Sequence, residues 1–201
     1  MTFAAIPKML NIPRAVDAAR GTRRARSRAV GALVMSGFGA LWAASGLARS
    51  GVAGWAWCAL AVLVLAFGVR ALRVLRDHPP FEGPLPDDIA APRRAGRIFA
   101  WTSAGEGVGI LLAVNVAVNV GHPEWQAAAV MAVVGLHFLP LALAFAYRPH
   151  VVTGIAMSAW ALGYPWAFAA GALAPAGLLG AAAVLFASAA YALRAVGRPA
   201  R

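Results

Sequence analysis

Ile98-Phe-Ala-Trp-Thr-Ser-Ala-Gly-Glu106-Gly-Val-Gly-Ile-Leu-Leu-Ala-Val-Asn115-Val-Ala-Val-Asn119-Val120 is followed by the short turn Gly121-His-Pro-Glu-Trp125. A second apolar segment then carries Gly135-Leu-His137-Phe-Leu-Pro140 and ends at Tyr147. Each segment is about 20 residues long, which as a helix matches the roughly 30 Å hydrocarbon core of a bilayer. Each holds one ionisable group in its middle, Glu106 in the first and His137 in the second. Ionisable side chains inside apolar spans are costly to place, so they mark a candidate site.

Working outward, the whole chain is built the same way. It has 201 residues, 61% hydrophobic and 12% charged, with mean hydropathy +0.71. Soluble domains average about 45–50% apolar and about 25% charged residues. The expectation is an all-α integral membrane protein, a single bundle of six transmembrane helices. The expected spans are 29–48, 55–72, 98–120, 127–147, 151–170 and 176–193, with a basic tail over 1–28 and a C-terminal tail over 195–201. A proline-rich connection, 77–97, reads as a loop, because its prolines disfavour regular helix. Within the tail, a short surface helix is expected around Ala15–Ala19. Arg23-Arg24 there is not followed by the features of an export signal.

Charge fixes the expected topology. Of 18 Lys and Arg residues, all but Arg49 fall on one side of the alternating segments. The positive-inside rule then puts both termini in the cytoplasm of a multi-pass protein. Arginine outnumbers lysine heavily, Lys8 being the only lysine, which suits a GC-rich bacterial genome and an inner membrane. The net charge of +11 is read as topology signal and as contact with anionic lipid headgroups. No aromatic-and-basic pattern accompanies it that would point to nucleic acid. A homo-oligomer is left open.

Cys58 stands alone, which excludes an intrachain disulfide, and is read as a small buried apolar residue. His78 with Asp77, Glu82, Asp87 and Asp88 invites a metal, but loose spacing in a proline-rich loop reads as solvated charge. No metal or cofactor is assigned. The tripeptides Val34-Met-Ser36 and Ala156-Met-Ser158, with Ala71-Leu-Arg73 and Ala192-Leu-Arg194, fit either a duplicated helical hairpin or chance.

The candidate site is Glu106, His137, Asn115 and Tyr164. Glu106 lies about eight residues from the cytosolic start of its span and His137 about ten from the cytosolic end of the next. Antiparallel neighbours therefore bring them to similar depth, roughly 12–15 Å from the surface. A coupled carboxyl–imidazole pair shares a proton, as a proton relay or proton-coupled carrier requires. The same pair equally clamps two helices together. Asn115 sits about 180° around the helix from Glu106 and shares a face with Asn119, favouring hydrogen bonds between helices over pore lining.

Pro140 and Pro165 suggest kinks, and Trp101, Thr102, Tyr164 and Trp166 are placed to line a cavity open to the cytosol. Gly105, Gly107 and Gly109 invite close approach of another helix. Gly135, His137, Phe138 and Pro140 resemble a motif of small bacterial membrane proteins, a resemblance that implies no activity. No hydrolase, P-loop, dinucleotide or metalloprotease motif is present. Two functions are expected: a small proton-linked carrier or channel, or a non-catalytic membrane component in which the Glu–His pair only fixes packing.

Overall fold

The computed structural model describes residues 12–80 and 91–197. It is helical over 90% of its described length, with six α-helices and no strand among those residues. The helices are α1 (Ile12–Ser50), α2 (Gly54–Asp77), α3 (Ala91–Asn119), α4 (Gln126–Ala144), α5 (Pro149–Ala167) and α6 (Pro175–Arg194). Five of them, all but α5, are long and apolar enough to cross a membrane. Thr153, Ser158, Tyr164 and two prolines dilute the apolar character of α5.

Three helices outrun the expected segments. α1 begins at Ile12 and runs unbroken through the arginine-rich tail into the apolar block, about 58 Å in all. Arginine and alanine are both strong helix formers, so charge alone does not end a helix. α2 continues through Arg73 and Arg76 to Asp77. α3 starts at Ala91, inside the connection expected to be loop. Pro92 falls in its first turn, where a missing N–H removes no intrahelical bond. The acids Glu82, Asp87 and Asp88 lie outside the described residues, as do residues 1–11 and 198–201.

Packing follows the order α2–α1–α6–α5–α4–α3, the α1–α6 interface being the most extensive. Two small clusters hold the arrangement. Ala29, Ala32 and Met35 of α1 meet Ala71 and Val74 of α2 and Ala189 and Ala192 of α6. Met131 and Phe138 of α4 meet Met157, Ala161 and Tyr164 of α5 and Ala181 and Leu185 of α6. The small residues bring backbones close, the usual basis of helix association in lipid. α4 and α5 touch at Gly135 and Gly154, where a Cβ on Gly154 would stand 2.8 Å from the Gly135 carbonyl oxygen. Gly109 of α3 faces Val133, whereas Gly105 and Gly107 have open space beside them.

α2 and α3 flank the row and bury little of themselves. Leu63, Leu65 and Leu72 of α2 and Leu111 and Leu112 of α3 point outward. Cys58 is on this outer surface too. It is exposed rather than buried, because α2 has only α1, and a little of α6, to pack against.

One end of the molecule gathers the arginines. Arg26 donates to the carbonyls of Leu75 (3.0 Å) and His78 (2.8 Å) at the end of α2. Arg28 donates to the Ala195 carbonyl (2.7 Å) just past α6 and lies over the Tyr147 ring at 6.0 Å. Two helix C-termini, with their unpaired carbonyls, are thus capped by guanidinium groups from a third helix.

Candidate functional site

α3 and α4 run antiparallel along a seam that sets the site. Near the arginine-rich end Phe99 meets Phe145, centroids 6.1 Å apart. Further in, Glu106 and His137 oppose one another, and beyond them Gly109 meets Val133. Glu106 lies seven residues beyond Phe99 and His137 eight residues before Phe145, which puts the two polar groups at one level, as antiparallel hairpin geometry requires.

The His137 Nδ1 lies 3.3 Å from Glu106 Oε2. That is within ion-pair distance, yet Nδ1 has no aligned hydrogen-bond partner. We take the pair as a contact between polar groups and not as a formed hydrogen bond, since angle decides strength as much as distance does. The His137 side chain is 10% exposed and that of Glu106 25%, so the imidazole is the enclosed member. Pro140 lies within α4 and has no N–H to give the Leu136 carbonyl, which leaves a backbone acceptor one residue from His137.

Other polar groups without hydrogen-bond partners lie in the turn after α4 and in α5. His150 Nδ1 and the Tyr147 hydroxyl are buried and unpaired, as is Ser158 Oγ. The His150 ring packs edge-on to Tyr147 at 4.9 Å and tilted against Phe138 at 5.6 Å. The His137 ring packs edge-on to the same Phe138, at 6.0 Å. Such unpaired polar atoms are exceptions, since most buried polar groups have a protein or water partner. His150 was not singled out by sequence, where it sits in a short turn; only the fold of that turn brings it beside Phe138.

The remaining candidates go elsewhere. Asn115 is exposed and donates to the Leu111 carbonyl of its own helix (2.7 Å), as Asn119 does to Asn115 (2.8 Å). Neither reaches across to another helix in these bonds, because each faces outward on a helix that has a neighbour on one side only. Tyr164 is buried beside Gly177, its hydroxyl donating to the Ala172 carbonyl at 3.0 Å. That places it at the far end of α5, against the turn into α6, engaged in packing.

Two surface grooves accompany the seam. One of about 420 Å³ is lined by Arg94, Arg97, Ile98, Trp101 and Thr102, at the arginine-rich end. The other, about 640 Å³, is lined by Leu112, Val116, Val120, His122, Trp125 and neighbouring alanines at the opposite end. Neither includes Glu106 or His137 in its walls. Trp101 and Thr102 therefore line a groove as expected, one that stops a helical turn short of Glu106; Tyr164 and Trp166 line neither groove. Among the described residues no three His, Cys, Asp or Glu side chains are placed to hold a metal ion.

No family model, no curated protein and no solved structure matches this chain. The site is therefore read from its own chemistry. An enclosed imidazole against a half-enclosed carboxyl, with further unpaired polar groups toward one end, can pass a proton along a hydrated path or lock a helix in place.

Proposed function

We propose that the chain is a small proton-linked carrier or channel of a bacterial inner membrane, in which Glu106 and His137 exchange the proton. The observation that carries this reading is the 3.3 Å approach of His137 Nδ1 to Glu106 without an aligned bond. A site that must release its proton is served by a contact that is close and not locked. The unpaired His150 and Tyr147 extend the polar path toward the arginine-rich end. In this reading that end is cytoplasmic, with both termini there, on the strength of the arginine distribution. α5 supplies the sixth crossing, supported by Val152, Ile155 and Leu162 on its outer surface.

A second reading, a membrane component without transport, rests on a different observation. α3 packs chiefly on α4, so the Glu106–His137 contact serves to hold a flank helix in register. The test is proton flux in liposomes loaded with a pH-sensitive dye. Glu106→Gln and His137→Ala are expected to abolish flux while thermal stability in detergent is largely kept. If both variants lose stability and the folded fraction still conducts protons like the parent, the clamp reading stands and the carrier reading fails.

A further inference from the structure

The groove at the start of α3 combines two features, free guanidinium groups and an exposed indole. Arg94 and Arg97 are exposed and take part in none of the hydrogen bonds or ion pairs of the described residues. Arg26 and Arg28, by contrast, are engaged with backbone carbonyls. One turn further, Trp101 projects its ring with 79% of its surface exposed, beside the Thr102 hydroxyl. Arg94, Arg97 and Trp101 recur at helical spacing and share one side of α3, with Thr102 at its edge.

We propose that this groove binds the phosphate of an anionic phospholipid. Two guanidinium forks, which favour phosphate over a point-charge partner, and a hydroxyl donor form the headgroup end. Trp101 sits where an indole marks the boundary between headgroups and hydrocarbon. Above it the same stripe continues through Gly105, which has nothing within 4 Å of a would-be Cβ, to Val108 and Leu112, both exposed. A notch followed by apolar side chains is a track for an acyl chain. A soluble phosphate has no use for that track, so the occupant is a lipid. The proposal rests on the membrane reading and is independent of proton transfer.

The test is native mass spectrometry of the full chain in neutral detergent, titrated with phosphatidylglycerol, with phosphatidylcholine of the same acyl chains, and with glycerol phosphate. One phosphatidylglycerol per chain is expected to remain bound under conditions that strip phosphatidylcholine. Arg94→Gln with Arg97→Gln should weaken it about tenfold, and Gly105→Leu should weaken it by filling the notch. Arg73→Gln with Arg76→Gln, which removes two exposed arginines from α2, should leave it nearly unchanged. Arg94→Lys with Arg97→Lys keeps the charge and should bind at an intermediate level. The proposal is overturned if the α2 pair weakens binding as much as the α3 pair does, which means diffuse charge. It is overturned equally if glycerol phosphate competes as well as the lipid, which means a soluble anion.

Discussion

His137 of α4 presents Nδ1 to Glu106 of α3 at 3.3 Å, at a level where neither groove of the surface reaches them. A contact this close but poorly aligned should be worth little to the fold. In a double-mutant cycle with Glu106→Gln and His137→Gln, read by thermal or denaturant unfolding in detergent, the coupling is expected near 0.6 kcal/mol, roughly the mean for polar pairs between membrane helices. A coupling of about 2 kcal/mol or more would make the pair a clamp.

Glycines on α3 and α4 look alike in sequence and differ in consequence. Gly135→Ala places a methyl 2.8 Å from the Ser158 backbone nitrogen, forcing α4 and α5 apart, and should cost about 1–3 kcal/mol. Gly105→Ala meets open space and should leave stability unchanged or raise it by up to about 1 kcal/mol through helix propensity. Melting temperatures of the two variants, compared in one detergent, decide this.

Two helix ends use the same motif with different residues. After α3, His122 N–H bonds the Ala117 carbonyl at 2.8 Å and Gly121 N–H the Val118 carbonyl at 3.1 Å, with Gly121 at φ +80°. After α4, Tyr147 N–H bonds the Ala142 carbonyl and Ala146 N–H the Leu143 carbonyl, with Ala146 at φ +48°. This is the Schellman pattern, and its left-handed residue prefers glycine. Gly121→Ala should destabilise by about 1 kcal/mol and Ala146→Gly should stabilise by about 0.5–1 kcal/mol. Shifts of equal sign in the two melting temperatures would refute the assignment.

Glu124, in the turn between α3 and α4, has its carboxyl held below its ordinary value of 4.5 by a hydrogen bond from its own backbone and another from His122. The His122 Nδ1 lies 2.9 Å away. A carboxyl with a lowered pKa contributes stability above its unfolded value and loses it as pH falls through the folded one. The advantage of the parent over Glu124→Gln should therefore be present at pH 6 and shrink progressively below about pH 4.5. Melting curves of both proteins across that range test it, and a gap that widens in acid contradicts it.

The apolar helices and the equal depth of Glu106 and His137 were legible in the chain because hydrophobic length and hairpin geometry are local properties. Where each helix stands in the row is not local. Asn115 was expected to bridge helices and instead bonds its own carbonyl ladder, because α3 has a neighbour on one side only. Tyr164 was grouped with Glu106 as lining of one cavity beside the Pro165 kink, yet the Ala172 carbonyl, eight residues on, holds its hydroxyl. Arg26 and Arg28 read as one undifferentiated basic run; which of those arginines cap α2 and α6 depends on where two distant helices end.

α6 is shared by both hydrophobic clusters and forms the largest interface of α1. α1 therefore waits for α6, five helices further along the chain. Until residues 175–194 emerge, Met35 and Ala71 on one side and Met131 and Met157 on the other have no common wall. Assembly of these six helices is thus a closing event that follows the making of α6, and a chain cut within the turn before Pro175 loses the keystone of both halves at once.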